Sequence, residues 1–417
     1  MSALLPNPAD ATLAILRMEC FAPGPGNTGD AGAPLVNGGG FTAFVDSLAP
    51  HFRRVEVVAP VVPRLEVVGR SFRAPNVVLR ELPDMKGLAR CWRRGGEALR
   101  RLERWSDGWD LVNLRAPDNF LPRVAPWLRR RGIPHYLQLV SHPFDAGDAV
   151  VGELGPLLRP LGALAWTVQR RAIRAACADR LVVAHGERLA EIAAGWGADA
   201  HNLPSGSLSR AWVDPRPRTG RPRRLLFVGR LNAEKGLEQL VDALATLADL
   251  DLTVTLAGWS TGDFDRRLLE RARRAGVAER LELVGPVPHG PELFDLYRTH
   301  DAFVLPSISE GTPRVIGEAM AFGLPVVSTT AGGIPDLVAS ERTGLLVAPG
   351  DAAALARALR RVVEDEPLRR GLVERAAATV DGRTLEHKAE RHVALLAGAS
   401  WRPHEATARE LRHGGAA

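Results

Sequence analysis

The sequence is poor in cysteine and contains no long apolar run. Its three cysteines, Cys20, Cys91 and Cys177, stand far apart and form no metal-binding spacing. Isolated cysteines of this kind are typical of buried thiols in a reducing compartment. The first ten residues lack the basic cluster and apolar stretch of a secretory signal, and no segment is apolar over the length of a membrane span. We therefore expect a cytoplasmic globular protein.

Motifs for nucleic-acid binding are also lacking, although the chain carries a net charge of +6. The excess comes mostly from arginine, and without such a motif we expect no nucleic-acid partner. An anionic membrane surface or an anionic acceptor would explain the charge. A genome that favours arginine over lysine is the alternative, and the membrane or acceptor explains the charge at least as well. With 417 residues, of which 46% are hydrophobic and 24% charged, the chain is long enough for two ordinary globular domains.

The most informative stretch runs from residue 304 to residue 330, VLPSISEGTPRVIGEAMAFGLPVVSTT. It predicts a strand, a polar loop, a short helix and a second strand. Thr312 is a favourable N-cap, and Pro313 suits the first helical position because its missing N–H is not needed there. Gly323 is placed to end the helix in the left-handed conformation, with Pro325 behind it.

Two glutamates in this stretch indicate a ligand. Glu310 lies in the loop at the carboxyl end of the strand, where parallel sheets bind ligands, and Glu318 lies in the helix. The N–H groups of Gly311 and Thr312, together with the positive end of the helix, can hold an anion. Two carboxylates beside an anion favour a ligand that is both polyhydroxylated and phosphorylated, such as a sugar nucleotide. A solvated helix with incidental glutamates is the alternative.

The pattern PSxxEGxPxxxxEAMAxGxPVV resembles the donor-site signature of family-four retaining glycosyltransferases with the GT-B fold. Arg314 and Gly317 depart from this signature, which usually has aliphatic residues at both positions. The resemblance is strong over residues 223–365 and only general over residues 1–205. It implies an α/β fold in which two Rossmann-like domains, each with a doubly wound parallel sheet, face a cleft.

The same resemblance assigns roles to individual residues. Glu310 would bind hydroxyls of the transferred sugar, and Glu318 would bind the ribose. In the segment RRLLFVGRLNAEKGLEQL, which predicts a strand, a tight turn and a helix, Arg230 and Lys235 lie beside a helix N-terminus. Two cations there can clamp a diphosphate, and in the family they neutralise the departing nucleoside diphosphate. A salt-bridged surface pair is the alternative for these two residues.

Other candidate residues are carried over from the family in the same way. The loop GPVPHGPEL resembles the segment whose backbone reads the base, which indicates Val287 and Pro288. Gly39 and Gly40 match the glycine pair that lets the backbone approach the donor phosphates, with a flexible loop as the alternative. His142 follows a predicted strand where the family has a residue near the reacting sugar, and a surface histidine is the alternative.

No metal and no cofactor are expected. The D-x-D pattern of Asp249 and Asp251 holds a divalent ion in the other large glycosyltransferase fold, but here it precedes its predicted strand, at the wrong edge of the sheet. Asp263 instead fits the cap of the next helix. Stabilisation of the leaving group by Arg230 and Lys235 would make a metal unnecessary, and the donor would be a UDP-, GDP- or similar nucleoside-diphosphate sugar.

These motifs divide the chain into four parts. We predict an N-terminal acceptor-binding Rossmann-like domain (1–205), a linker (206–222), a C-terminal nucleotide-sugar-binding domain (223–384), and a C-terminal helix and tail that cross back to the first domain (385–417). Phe41–Leu48 is the first predicted helix. Residues 157–179 alternate between apolar residues and arginine at helical spacing. That pattern fits a helix lying on an anionic membrane, or a helix packed on the sheet with its arginines outward.

We therefore expect a metal-independent retaining glycosyltransferase of cell-envelope or natural-product glycosylation. The acceptor stays open between a glycan, a lipid-linked intermediate and a small molecule. A sugar-nucleotide epimerase with the same fold and a non-catalytic sugar-nucleotide-binding protein are the alternatives. The cytoplasmic protein could contact the inner face of the membrane.

Overall fold

The computed structural model describes residues 7–17, 21–23, 35–38, 41–62, 69–85, 87–140, 159–203, 206–216 and 218–399. These residues form two compact units. The first unit comprises the described residues up to 203 and from 388 onward, and the second comprises those from 206 to 387.

The first unit is built around a parallel sheet. Its strands are β1 (Thr12–Leu16), β2 (Ala22–Pro23), β3 (Leu35–Gly38), β4 (Arg54–Pro60), β5 (Gly69–Arg70), β6 (Val77–Leu82), β7 (Leu111–Ala116), β8 (His135–Leu139), β9 (Leu181–Ala184) and β10 (Asp199–Asn202). Its helices are α1 (Phe41–Leu48), α2 (Leu88–Trp105), α3 (Leu121–Arg130), α4 (Arg159–Cys177) and α5 (Glu187–Ala194).

Seven of these strands pair in parallel in the order β10-β9-β8-β7-β1-β4-β6, and β2, β3 and β5 form a small antiparallel sheet. The chain adds strands on one side of β1 and then, from β7 onward, on the other. The direction of winding therefore changes between β1 and β7. Apolar residues of α2, α3, α4 and α5 share one core cluster with the sheet, among them Leu102, Leu128, Ile173 and Ala193.

The second unit contains a second parallel sheet. Its strands are β11 (Arg224–Val228), β12 (Thr253–Ala257), β13 (Leu281–Gly285), β14 (Ala302–Leu305), β15 (Val326–Thr329) and β16 (Leu345–Val347). Its helices are α6 (Leu237–Thr246), α7 (Phe264–Arg274), α8 (Pro291–Thr299), α9 (Arg314–Ala321), α10 (Ala352–Glu364) and α11 (Glu366–Val380). They are followed by α12 (Leu385–Gly398), whose residues from 388 onward belong to the first unit.

The strand order of the second sheet is β13-β12-β11-β14-β15-β16, with all neighbours parallel. Here the winding changes direction between β11 and β14. The central strands are continuous buried apolar runs, such as Leu225–Phe227 and Phe303–Leu305, as expected for a sheet covered on both faces. The predicted doubly wound α/β architecture is confirmed in both units.

One local prediction in the glutamate-bearing stretch is wrong. Helix α9 begins at Arg314, one residue later than predicted, and Thr312 does not cap it. Pro313 precedes the helix in an extended conformation with ψ of 109°. The loop before it is held by a hydrogen bond from Gly333 N–H to Gly311 O at 2.9 Å. Because of this tertiary contact, the chain stays extended past the residues whose local preferences favour a helix start.

The other boundaries in that stretch follow the prediction more closely. Gly323 ends the helix region with φ of +71°, as predicted. The predicted helix Phe41–Leu48 has these same bounds. Strands β6 and β10 were not predicted. Both lie at the edges of the first sheet, where polar residues replace the continuous apolar run of a central strand.

Among the residues that the structure describes, no helix combines the length and apolar character needed to cross a bilayer.

Candidate functional site

The winding of the second sheet changes direction between β11 and β14, and doubly wound sheets bind ligands at such a point. Arg230 follows β11 after a tight turn. Lys235 ends a short 3-10 turn, Ala233–Lys235, farther along the same connection. Glu310 lies in the loop that follows β14. Three predicted site residues therefore lie where the winding changes direction, which we call the switch point of the sheet. They come from the connections that follow two different strands.

An ion pair joins two of these residues. Lys235 Nζ lies 2.5 Å from Glu310 Oε1, and the two side chains are only 12% and 9% exposed. Ser307 Oγ donates a hydrogen bond to the same oxygen at 2.8 Å. Glu310 Oε2 accepts no hydrogen bond from any residue that the structure describes. One carboxylate oxygen is therefore held in place, and the other is available to a ligand hydroxyl.

The same edge of the sheet also carries a positive side chain, Arg230, and the start of helix α9. Arg230 is exposed and makes no ion pair with the described part of the chain. The first turn of α9 has N–H groups without intrahelical acceptors, as every helix start does, and the helix dipole adds positive potential there. Gly311 is exposed in the preceding loop. Thr312 does not cap the helix, and the role of Gly311 and Thr312 as an anion seat stays a prediction.

Glycines allow the loops at this edge to approach each other. A Cβ at Gly236 would lie 2.0 Å from Pro306 O, and one at Gly332 would lie 1.8 Å from Glu310 O. Both residues also have positive φ, +64° and +53°. A side chain at position 236 would push the Lys235 segment away from the loop after β14, and one at position 332 would push the turn after β15 away from Glu310.

Glu318 is 4% exposed, and its carboxylate is held by side chains that sequence analysis missed. Tyr297 Oη donates to Oε2 at 2.8 Å, and Ser207 Oγ donates to Oε1. His289 Nε2 lies 3.3 Å from Oε1. Burial by itself would raise the pKa of Glu318, but His289, Ser207 and Arg314 lower it to about 2. The carboxylate is therefore ionised at neutral pH in a nearly closed environment.

A small, partly open cavity borders Glu318. Arg314 and Gly317, the two positions that depart from the resembled signature, both line it, and so does Ser207. A Cβ at Gly317 would lie 3.9 Å from Arg383 Cδ, which is an ordinary contact distance. Glycine therefore leaves open a space that an aliphatic side chain would fill.

The remaining predicted residues are less informative. Val287 and Pro288 lie half-buried in the loop after β13, and Val287 packs against the core of the second unit. Gly39, Gly40 and His142 lie outside the described residues. The roles of these five residues in reading the base, approaching phosphate and contacting the sugar stay predictions.

The first unit also collects polar side chains near the carboxyl ends of its strands. Arg115 Nη1 donates to Gln138 Oε1 at 2.9 Å, and Gln138 Nε2 lies 2.9 Å from His185 Nε2. Lys388 Nζ lies 3.2 Å from the same histidine nitrogen. The Arg115 guanidinium also lies 5.0 Å from the ring centre of Phe41. Sequence analysis missed this cluster because its members come from β7, β8, the end of β9 and two helices.

No metal site is found within the part of the chain that the structure describes, since no three His, Cys, Asp or Glu side chains are grouped to hold an ion. The D-x-D carboxylates are engaged elsewhere. Asp249 pairs with Arg360 at 2.7 Å, and Asp251 pairs with Arg223 at 3.2 Å. Metal independence of any reaction stays a prediction.

The segment that carries these residues matches a known family. Residues 210–379 match the family described as Glycosyl transferases group 1, and the match contains Arg230, Lys235, Glu310 and Glu318. The similarity to the glycosyl transferases group 1 family is thus established for this segment, which is about two fifths of the chain.

Two relatives illustrate how far the similarity extends. A glycogen synthase of Mycobacterium tuberculosis (strain ATCC 25618 / H37Rv) is 35% identical over 230 residues, which are 54% of this chain and 53% of that protein. The chain thus matches about half the length of that relative. A D-inositol 3-phosphate glycosyltransferase 1 of Catenulispora acidiphila is 29% identical over 413 residues, covering 88% of this chain and 91% of that protein.

Solved structures of glycosyltransferases share the fold. The sucrose-phosphate synthase tll1590 of Thermosynechococcus elongatus covers 92% of this chain and 98% of its own, with a TM-score of 0.66 at 22% identity. Anabaena Alr3699/HepE, solved in complex with UDP, covers 93% of this chain and 100% of its own, with a TM-score of 0.66 at 17% identity. The predicted GT-B fold class is therefore confirmed.

Proposed function

We propose that this chain is a retaining glycosyltransferase that moves a sugar from a nucleoside-diphosphate sugar to an acceptor. The observation that carries the proposal is the buried Lys235–Glu310 pair at the switch point of the second sheet. It combines a cation suited to a diphosphate with a carboxylate that has one oxygen available to hydroxyls. The family match over the same segment supports the assignment.

The proposed roles follow from where each group lies. Glu310 Oε2 accepts a hydrogen bond from a hydroxyl of the donor sugar and holds the ring as positive charge develops at the anomeric carbon. Arg230, Lys235 and the N–H groups at the start of α9 stabilise the negative charge that forms on the departing diphosphate. Glu318 accepts hydrogen bonds from the ribose. Because fixed cations and dipoles perform this stabilisation, we propose that transfer proceeds without a divalent metal.

The donor is a UDP-, GDP- or similar nucleoside-diphosphate sugar. Anabaena Alr3699/HepE, which shares the fold, has been solved in complex with UDP-glucose, and UDP-glucose is therefore a reasonable first ligand to test. The acceptor is a glycan, a lipid-linked intermediate or a small molecule. Cell-envelope and natural-product glycosylation are the processes that use such acceptors.

We also propose peripheral contact with an anionic membrane, on the cytoplasmic side. The outer face of α4 exposes Leu164 by 63% and Val168 by 52%. Arg171 and Arg174 are exposed on the same helix and pair with no described acidic residue. Trp92, on α2, is 73% exposed. Apolar side chains beside unpaired arginines suit the boundary between acyl chains and anionic headgroups.

Ligand-induced stabilisation tests the donor assignment directly. Purified protein is heated with UDP-glucose, GDP-mannose, ADP-glucose and related sugar nucleotides, with and without Mg²⁺. A ligand present at a hundred times its Kd adds about 2.7 kcal/mol to the stability of the folded state, which shifts Tm measurably. Arg230→Ala should lose this shift, whereas Arg273→Ala, an exposed arginine on α7, should keep it.

The reaction itself is tested with the sugar nucleotide that binds. Incubation without an acceptor, followed by product analysis, separates transfer from epimerisation, because an epimerase would form a new sugar nucleotide. Incubation with candidate acceptors, followed by NMR of the anomeric proton, reports retention. A protein that binds sugar nucleotides but turns over none of them would fit the non-catalytic alternative and refute the proposed transfer.

A further inference from the structure

The Glu318 carboxylate accepts hydrogen bonds from two separate segments, and a third segment brings His289 Nε2 to 3.3 Å from Oε1. Ser207 lies before β11, His289 lies in the loop after β13, and Tyr297 lies in α8. The terminal torsion of a glutamate is broad when the group is free, so an unrestrained carboxylate points in many directions. Here one hydroxyl donates to each oxygen, from Ser207 to Oε1 and from Tyr297 to Oε2. The carboxylate plane is therefore set by two independent donors.

Tyr297 is itself rigid. Its side chain is fully buried, its ring stacks on Phe322 with an interplanar angle of 5° and a centroid distance of 5.5 Å, and Phe303 lies 6.0 Å away. Burial and the charge of Glu318 raise the pKa of Tyr297 well above its ordinary value, so the hydroxyl stays protonated and can only donate to the carboxylate. Its position is defined by the core, independently of any ligand.

We propose that Tyr297 and Ser207 are positioning residues for the donor nucleotide. An ionised carboxylate offers about four acceptor positions, and the two hydroxyls occupy two of them. The remaining positions are then fixed in direction before a ligand arrives, which lowers the entropy cost of binding two vicinal hydroxyls. Glu318, Gly317 and Arg314 also line a small cavity. This inference rests on the proposed binding of a nucleoside diphosphate, with Glu318 at the ribose.

The test compares a nucleoside diphosphate with its 2′,3′-dideoxy analogue. The base is chosen by titrating UDP, GDP and ADP into the wild-type protein by calorimetry. Tyr297→Phe removes only the hydroxyl that contacts Glu318. Tyr136→Phe is a matched control, because Tyr136 is the only other tyrosine of the chain, is fully buried, and has its hydroxyl 2.8 Å from His392 Nε2 in the first unit.

The expected result is a loss of discrimination by the ribose hydroxyls. Tyr297→Phe should weaken binding of the parent nucleoside diphosphate about tenfold, in line with the loss of a hydrogen bond to a charged group, and leave binding of the dideoxy analogue unchanged. Tyr136→Phe should bind both ligands as the wild type does. With the donor sugar nucleotide, Tyr297→Phe should raise KM about tenfold and keep kcat within about twofold.

The opposite results are equally clear. If Tyr297→Phe keeps the full preference for the parent ligand, or weakens both ligands equally, its hydroxyl has only a structural role and the inference is overturned. Should this variant fail to fold, Ser207→Ala is measured in the same way, with the same expected and contrary results. A wild-type protein that binds a nucleoside diphosphate but ignores the ribose hydroxyls overturns the positioning role alone. One that binds none of the three overturns the proposed function as well.

Discussion

Replacing Lys235 by methionine tests whether the ion pair with Glu310 stabilises the candidate site. Methionine keeps the apolar stem and removes the ammonium group. The paired atoms are 2.5 Å apart, and the side chains are 12% and 9% exposed. Removing one partner of a fully buried pair costs about 3–5 kcal/mol, since the other charge is left uncompensated. The residual exposure and the hydrogen bond from Ser307 reduce this cost, so we expect the free energy of unfolding to fall by about 2 kcal/mol.

Arg230→Met is the matched control. Arg230 is exposed and makes no ion pair within the described residues, so its loss should change the free energy of unfolding by less than about 0.5 kcal/mol. We propose that both cations contact the departing diphosphate. Each substitution should therefore lower kcat/KM by about a hundredfold, as removal of one preorganised electrostatic contact does elsewhere. Arg230→Met should thus lose activity and keep its stability, whereas Lys235→Met should lose both.

The double variant Lys235→Met/Glu310→Gln tests whether the unpaired carboxylate of Glu310 causes the loss of stability. A neutral glutamine leaves no unpaired buried charge, so the double variant should be more stable than Lys235→Met alone. Calorimetric unfolding gives the transitions, and each must be resolved because a chain with two compact units need not unfold in one step. Strictly additive losses, or equal destabilisation by Lys235→Met and Arg230→Met, would refute the electrostatic argument.

Four further outcomes are expected. Transfer should survive excess chelator, and full loss that Mg²⁺ or Mn²⁺ restores would contradict the proposed electrostatic role of the cations. Glu310→Gln should lower kcat more than it weakens donor binding, whereas Glu318→Ala should mainly raise the donor KM; steady-state kinetics would expose reversed roles. The Glu318 pKa is about 2 against an ordinary 4.5, so its contribution to stability is complete above pH 4.5 and is lost as pH falls towards 2. Between pH 4.5 and pH 2, the free energy of unfolding of Glu318→Gln should therefore fall less than that of the wild type. Leu164→Asp/Val168→Asp should reduce co-sedimentation with anionic vesicles at low salt, and binding that ignores both this change and added salt would exclude the α4 face.

The residues at the switch point of the second sheet could be predicted because each depends on local pattern. Arg230 and Glu310 both follow a short apolar run that must be a buried strand. Parallel strands present their carboxyl ends at one edge, so residues that follow such strands meet there whatever their separation in the chain. The pairing of Lys235 with Glu310 could not be predicted from the sequence, because it depends on which connections between strands lie side by side.

Edge strands were harder to predict, for a physical reason. In β6, Arg80 stands where a central strand would be apolar, and it pairs at 2.9 Å with Glu56 of the neighbouring strand β4. The pair is satisfied because an edge strand leaves room for long side chains to reach water. The periodicity that identifies buried strands is therefore absent where a sheet ends.

The partners of Glu318 show what composition alone does not reveal about the segment after residue 205. Proline, glycine and serine crowd there, which predicts a linker without regular structure. The segment is irregular, yet it is packed: a Cβ at Gly206 would lie 2.1 Å from Arg383 O, and Leu208 is buried in the core of the second unit. Packing of this kind brings Ser207 to a carboxylate 111 positions away. Composition indicates whether a segment forms regular hydrogen bonds within itself. Its side-chain contacts depend instead on the residues against which it packs. An irregular segment can therefore supply a residue to a site just as a strand end can.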